Sequence, residues 1–278
     1  MTYGEQHGTT TYTTPAGERR TVERGTREFF DCVDRVFYDW NRPLHSCCGY
    51  FSRIFPYERF RDRRVLEIGC GMGTMAMNWA QHRARVTAVD LNPVAVQQTA
   101  QRFDVYGLDG VTLQADANAL PFGDGSFDYV YSWGVLHHSP NLEASFQEIF
   151  RVLRPKCEFG VMLYNRRSLL YAYYTLYIEA LLHGEGRFLD SLELASRYAD
   201  GAEQEGNPHT WPITAGEVRT ICSPHCSALR VKTLGTELDH LLPQVIPLPK
   251  VDRFLPRVFR KAWARRWGWS LWISGERR

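Results

Sequence analysis

The stretch Arg64-Val-Leu-Glu-Ile-Gly-Cys-Gly-Met-Gly73 restricts what this chain can fold into more than any other. Val65, Leu66 and Ile68 form a short apolar run with β-branched character, as a buried parallel strand requires. Glycines follow at alternate positions 69, 71 and 73, and Thr74-Met-Ala-Met-Asn-Trp-Ala80 then reads as a helix without a breaker. Strand, glycine turn and helix in that order predict a nucleotide site, because glycine permits a tight turn and lets a ligand approach the backbone closely.

The glycine spacing is G-x-G-x-G and not the G-x-G-x-x-G of a dinucleotide turn. Glu67 precedes it, and a carboxylate there repels a diphosphate but suits a ligand carrying an ammonium. About twenty residues on, the run Val86–Val89 ends in Asp90, the slot for a carboxylate that binds two ribose hydroxyls. Asn92-Pro93 opens a helix, with asparagine as cap and proline in the first turn. Val111–Ala115 is a third strand ending in Asp116-Ala117, and Phe127–Ser132 is a fourth that runs into Trp133-Gly-Val-Leu-His-His138.

Taken together, these four stretches resemble the class I S-adenosylmethionine-dependent methyltransferases, in particular the small-molecule branch with a VLHH-type loop after the fourth strand. The resemblance covers roughly residues 29–163. It implies a Rossmann-like α/β fold: a seven-stranded, mostly parallel sheet, antiparallel in its last strand, with helices on both faces and a helical or loop lid. It implies that Glu67, Gly69, Cys70, Gly71 and Gly73 line the methionine portion of S-adenosyl-L-methionine. Asp90 would bind the ribose, Leu91 would pack on the adenine, and Asp116 and Ala117 would meet the adenine edge. Ser132 and Trp133 would close the methionine end. The family often carries a glycine pair after Leu-Arg-Pro, but Leu153-Arg-Pro-Lys-Cys157 has none, so a strained or differently shaped turn is expected there.

At 278 residues the chain suits one α/β domain with insertions. The division expected is a flexible tail over 1–25, N-terminal helices and cofactor core over 26–163, a lid insertion over 164–227, and C-terminal strands with a basic helix over 228–278. A formal net charge of +2 gives no argument for a nucleic-acid partner. No secretory pattern opens the chain, and no stretch reaches the ~20 apolar residues needed to cross a bilayer. Seven cysteines are read as reduced thiols in a cytoplasm. Cys222-Ser-Pro-His-Cys226 lacks a second pair at zinc-ribbon spacing, so no metal is expected.

Toward the N-terminus, apolar positions from Phe29 to Trp40 recur at three and four residues, which predicts a helix over 26–40. A short aromatic helix is expected over 50–60. Such helices would wall the acceptor pocket or pack on the sheet edge. Residues 168–182 are apolar or aromatic nearly all round, as in a helix buried on several sides. A lid, a dimer surface and a membrane-surface element are its three readings. Residues 198–212 are polar and turn-rich, a long loop near the carboxyl ends of the strands. A sixth strand is expected over 229–234, and a closing antiparallel strand over 269–273. In the helix before it, Arg257, Arg260, Lys261, Arg265 and Arg266 interleave with aromatics. That pattern reads as a solvated basic face, or as a contact for an anionic membrane or nucleic acid.

Methyl transfer from a sulfonium is an in-line displacement, so the protein mainly has to align the nucleophile and exclude water. A base that deprotonates the acceptor helps, and the histidine pair after the fourth strand reads either as that base or as a structural or cofactor-facing element. His138 and His137 follow the fourth strand and titrate near neutral pH, with Tyr164 leaving the fifth strand beside them. Arg166, His209 and Tyr171 are further acceptor-site candidates. Families that methylate planar amines place Asn/Asp-Pro-Pro-Tyr where this chain has Trp133-Gly-Val-Leu, which disfavours nucleic-acid bases and protein glutamine. A small, partly hydrophobic or aromatic acceptor is the expectation, with S-adenosyl-L-homocysteine as coproduct. A non-methylating enzyme using the same cofactor, a non-catalytic binding protein and, more distantly, a nicotinamide enzyme remain open.

Overall fold

The computed structural model describes residues 9–13, 19–198, 209–235 and 265–278. An antiparallel pair, β1 (Thr9–Thr13) and β2 (Arg19–Glu23), stands where the sequence predicts a flexible tail. Val22 at its end is buried against Phe29, Phe30 and Cys32. These belong to α1 (Arg27–Trp40), whose first turn is capped by the Thr26 hydroxyl accepting from the Phe29 N–H. Val36 and Trp40, expected on the apolar stripe, are instead exposed.

The central sheet is built from β3 (Arg64–Ile68), β4 (Arg85–Asp90), β5 (Val111–Gln114), β6 (Phe127–Trp133), β7 (Leu153–Tyr164), β8 (Cys226–Leu234) and β9 (Ser270–Arg277). Their order is β5-β4-β3-β6-β7-β9-β8, and only β9 runs against its neighbours. The closing strand therefore slots between the fifth and sixth strands of the fold, as the resemblance implies. Helices α2 (Thr74–Gln81), α3 (Pro93–Tyr106), α4 (Leu142–Val152), α5 (Ser191–Tyr198) and α6 (Ala215–Cys222) complete the regular structure with a π-helix over Tyr171–Leu182.

Because strand side chains alternate, β3 sends Val65 to one face and Leu66 and Ile68 to the other. The first face is aromatic: Phe55 meets Trp79 of α2, Tyr131 and Trp272 edge to face, and Tyr129 packs beside them. The second holds Phe146 and Ile149 of α4 with Val218 and Cys222 of α6. Residues 50–60, where a helix is expected, form turns closing in a 3₁₀ turn at Tyr57–Phe60. Phe51 in left-handed backbone and Pro56 break helical continuity there.

The glycine-free turn at the start of β7 is differently shaped, as expected. Phe127 pairs with Leu153 but Tyr129 pairs with Glu158, and the extra residues are absorbed with Lys156 at φ +62°. The π-helix departs from expectation. Tyr171 and Thr175 are buried, whereas Leu176, Tyr177, Leu181 and Leu182 are exposed, so the segment is buried along one strip and not on several sides. The basic-helix residues Arg257, Arg260 and Lys261, and most of the loop over 198–212, lie outside the described residues.

Candidate functional site

The glycine turn sits at the carboxyl end of β3, between α2 and the β6 exit. Gly69, Gly71 and Gly73 all have positive φ, at +81°, +54° and +77°. A Cβ on Gly69 would lie 2.2 Å from the Val135 side chain, so this position excludes any side chain. The turn is fastened to the next strand: the Gly69 and Cys70 N–H groups both donate to the Val89 carbonyl, at 2.7 and 3.0 Å. The Cys70 thiol is buried and accepts from the Thr99 hydroxyl, which leaves only its backbone facing the turn.

Asp90 ends β4 and holds both sides of the crevice. One carboxylate oxygen accepts from the Gly71 N–H and the other from the Asn92 N–H, each at 2.9 Å. Each oxygen retains lone-pair capacity for a hydroxyl. Leu91 beside it is 67% exposed, a large apolar face standing ready for a flat partner. Asp116 is also exposed; it accepts from the Asn118 N–H at 2.8 Å and bridges to Ala119, so that Ala117 sits in a tight turn.

Glu67 is 2% exposed, and its Oε2 has no hydrogen-bond partner. Burial pushes its carboxyl well above the usual range, and the nearby Tyr131 hydroxyl only partly opposes that. A buried carboxyl with an unmet acceptor, two residues before the glycine turn, is an opening for an ammonium donor. Ser132 is different: it is fully buried and its hydroxyl donates to the Ile68 carbonyl at 2.8 Å, tying β6 to β3. Trp133 continues toward the surface and meets Phe51 edge to face at 5.1 Å.

Past Trp133 the chain forms a 3₁₀ turn over Leu136–His138. His137 is buried with its ring tilted against Tyr164, centres 3.8 Å apart, and both its ring nitrogens lack partners. Burial lowers its pKa well below the ordinary value, which keeps the ring neutral. The His138 Nδ1 is 2.9 Å from the His209 carbonyl and 3.1 Å from the Thr210 hydroxyl. Facing a carbonyl, which can only accept, Nδ1 is the donor of this contact. The Trp211 N–H donates to the His137 carbonyl at 2.9 Å, zipping this loop onto the turn. His209 and Trp211 also line a cleft of about 430 Å³ with Asp190, Glu193 and Ser196.

His137, His138, Tyr164 and His209 are thus brought together. Arg166 and Tyr171 are directed elsewhere: the Arg166 guanidinium pairs with Glu217 on α6, and the buried Tyr171 hydroxyl donates to the Ser191 carbonyl at 2.9 Å. Sequence reasoning missed Thr210, whose N–H donates to the Ser196 hydroxyl at 2.8 Å and fixes the loop beneath His138. It also missed the buried ion pair of Asp34 with Arg102, at 2.7 Å, which receives the Thr74 hydroxyl from the first turn of α2. Neither has a local motif; each pairs residues distant in sequence.

A parallel sheet with one antiparallel strand, a glycine turn and a carboxylate at the ends of β4 and β5 defines a class I methyltransferase architecture. A family model described as a methyltransferase domain matches residues 65–156. A sterol 24-C-methyltransferase from Neurospora crassa is 29% identical over 163 residues, 52% of this chain and 43% of that protein. A probable phthiotriol/phenolphthiotriol dimycocerosates methyltransferase from Mycobacterium ulcerans is 42% identical over 117 residues, covering 41% and 45%. The chain spans about half the length of these curated relatives. A crystal structure of an S-adenosylmethionine-dependent methyltransferase from Methanosarcina mazei superposes with a TM-score of 0.55 at 20% identity, over 81% of this chain and 98% of that one. Residues 65–156 are a methyltransferase domain of the class I, S-adenosylmethionine-dependent type. The residues present fit that cofactor in kind: an orphaned Glu67 oxygen and carboxylates at Asp90 and Asp116 are acceptors, and an ammonium, ribose hydroxyls and an adenine amino group are donors. No helix among the described residues is long and apolar enough to cross a membrane, and no cluster of three metal-ligating side chains is present among them.

Proposed function

We propose that the chain methylates a small, partly hydrophobic molecule, a lipid or an aromatic compound, with His138 as the base that prepares the acceptor. The observation that carries this reading is the His209 carbonyl holding His138 Nδ1, which points the basic nitrogen away from the loop that fixes it. The cofactor supplies an electrophilic methyl group on a sulfonium. Glu67 holds the ammonium end, Asp90 the ribose and Asp116 the adenine edge. His138 Nε2 takes the acceptor's proton, where an oxygen or nitrogen attacks, while His137 stays neutral and packs against Tyr164. Phe51 and Trp133 on one side, and His209 and Trp211 on the other, exclude water from the displacement. The segment over 164–227 supplies the second wall and acts as the lid.

The names of the matched relatives, which act on sterols and on phthiotriol-type lipids, support a hydrophobic acceptor. The Trp133-Gly-Val-Leu loop speaks against planar amines. Assays with labelled cofactor test this directly. Transfer to sterol-like, lipid or phenolic acceptors, with none to bulk RNA or protein, is expected; the reverse pattern contradicts the reading. His138→Asn keeps a hydrogen-bonding side chain but no base, and should lower kcat by roughly 10²–10⁴-fold for an oxygen or nitrogen acceptor while leaving cofactor affinity within about twofold. Unchanged kcat with such an acceptor removes the base assignment.

A further inference from the structure

The π-helix over Tyr171–Leu182 carries a single charged side chain, Glu179, and that is paired with His183 at 2.8 Å. Its outer strip is left uncovered. Leu181 is 68% and Leu182 58% exposed, and Tyr174, Leu176 and Tyr177 share the exposure. The turn that follows folds back on the helix, with Gly186 packed so tightly on Ala180 that a Cβ would meet its carbonyl at 2.9 Å. That turn presents Arg187 and Phe188, the latter 85% exposed.

The other end of the helix carries the same pairing. Tyr171 packs with Trp269, and just before Trp269 the exposed Arg265 and Arg266 accompany Trp267, with the Arg266 guanidinium 5.5 Å from the Trp267 ring centre. The exposed apolar strip is therefore followed directly by Arg187 and Phe188, and exposed Arg265, Arg266 and Trp267 precede the tryptophan that packs on the buried start of the same helix. Patches of exposed leucine and tyrosine mark interaction sites, and their combination with arginine and tryptophan suits the headgroup zone of a bilayer.

We propose that this strip docks on an anionic lipid surface, with Leu181, Leu182 and Phe188 entering the acyl boundary and Arg187, Arg265 and Arg266 meeting lipid phosphates. The inference deepens the reading of a lipid-like acceptor and rests on it for its purpose. The helix is too short to span a bilayer, so it lies in the interface. The charge complement favours an anionic bilayer over a second copy of the chain. So does the shape, since side chains that stand out from a convex helix sink into a fluid surface more readily than they match a rigid one. The helix is also continuous with the site: Tyr171 packs with Trp269, whose ring centre is 4.4 Å from that of Tyr164, and Tyr164 lies against His137. A hydrophobic acceptor leaving the bilayer would enter beside the histidines.

Flotation of the full chain with vesicles tests this without any need for turnover. Vesicles of phosphatidylcholine mixed with phosphatidylglycerol should carry the protein at low salt, and phosphatidylcholine alone should carry far less. The bound fraction should drop roughly tenfold or more in 1 M salt and in the L181E/L182E double variant, whose S-adenosylmethionine affinity should match wild type. Absence of flotation on every vesicle, or equal flotation by the variant, overturns the proposal. So does a wild-type dimer that the variant dissolves while vesicle binding is unaffected, which would make the strip a contact between copies. Vesicle binding without lipid methylation would instead leave docking in place and remove the acceptor reading.

Discussion

Glu67 and His138 are placed differently: Glu67 is a buried carboxyl with an unmet acceptor, whereas His138 is half-buried and held by the His209 carbonyl. Burial holds the Glu67 carboxyl well above the ordinary range, which favours its protonated form. An ammonium brought beside it favours the ionised form and expels that proton. Wherever the free protein still binds that proton, S-adenosylmethionine affinity should rise with pH, and calorimetry in buffers of different ionisation heat should register proton release. Glu67→Gln should abolish the release and weaken binding about tenfold or more; equal proton release by the variant would locate the titrating group elsewhere. Much of this scale was legible beforehand. The turn glycines and the two strand-end aspartates stand where the motif spacing predicts, because a nucleotide crevice imposes fixed positions on strand ends. Arg166 and Tyr171 were not legible, because a side chain's direction depends on partners, here Glu217 and Ser191, far away in the chain.

Secondary-structure elements are joined through contacts the sequence does not advertise. Asp34 on α1 and Arg102 on α3 form a buried pair, with Arg102 fully enclosed and 4.4 Å from the Phe30 ring. Removing the carboxylate strands a buried guanidinium, so Asp34→Ala should destabilise the fold by about 3–5 kcal/mol. Urea denaturation measures this, and a loss below about 1 kcal/mol would show that water reaches Arg102. Gly69→Ala combines left-handed backbone with a collision against Val135, so it should abolish measurable cofactor binding before it unfolds the chain. Circular dichroism beside calorimetry separates the two effects. The parallel sheet followed from the alternation of strands and helices, and the antiparallel closing strand from the family resemblance. The outward-facing π-helix did not, because an apolar sequence signals burial or an interface alike and only the folded surface distinguishes them.

Across the whole molecule, acid sensitivity follows from groups whose titration differs between folded and unfolded chains. Burial lowers the His137 pKa well below its unfolded value near 6.5 and lowers that of His45 as well. Below about pH 6.5 the unfolded chain binds protons that the folded one refuses, so these groups withdraw stability as pH falls. Glu67 works in the opposite direction, because its raised pKa makes the folded chain the better proton binder above the unfolded carboxyl range. Comparison of variants isolates the histidine contribution. His137→Gln should gain in melting temperature relative to wild type as pH falls from 7 to 5, and a constant difference would mean that His137 is not buried in neutral form. The central claim is that two strand-end carboxylates grip one adenosine whose sulfur end faces the histidine turn. A crystal structure with S-adenosyl-L-homocysteine tests it most directly. Asp90 should lie within hydrogen-bonding distance of the ribose hydroxyls and Asp116 of the adenine amino group, with the sulfur facing Trp133 and His138. A nucleoside bound out of reach of either carboxylate would contradict the account.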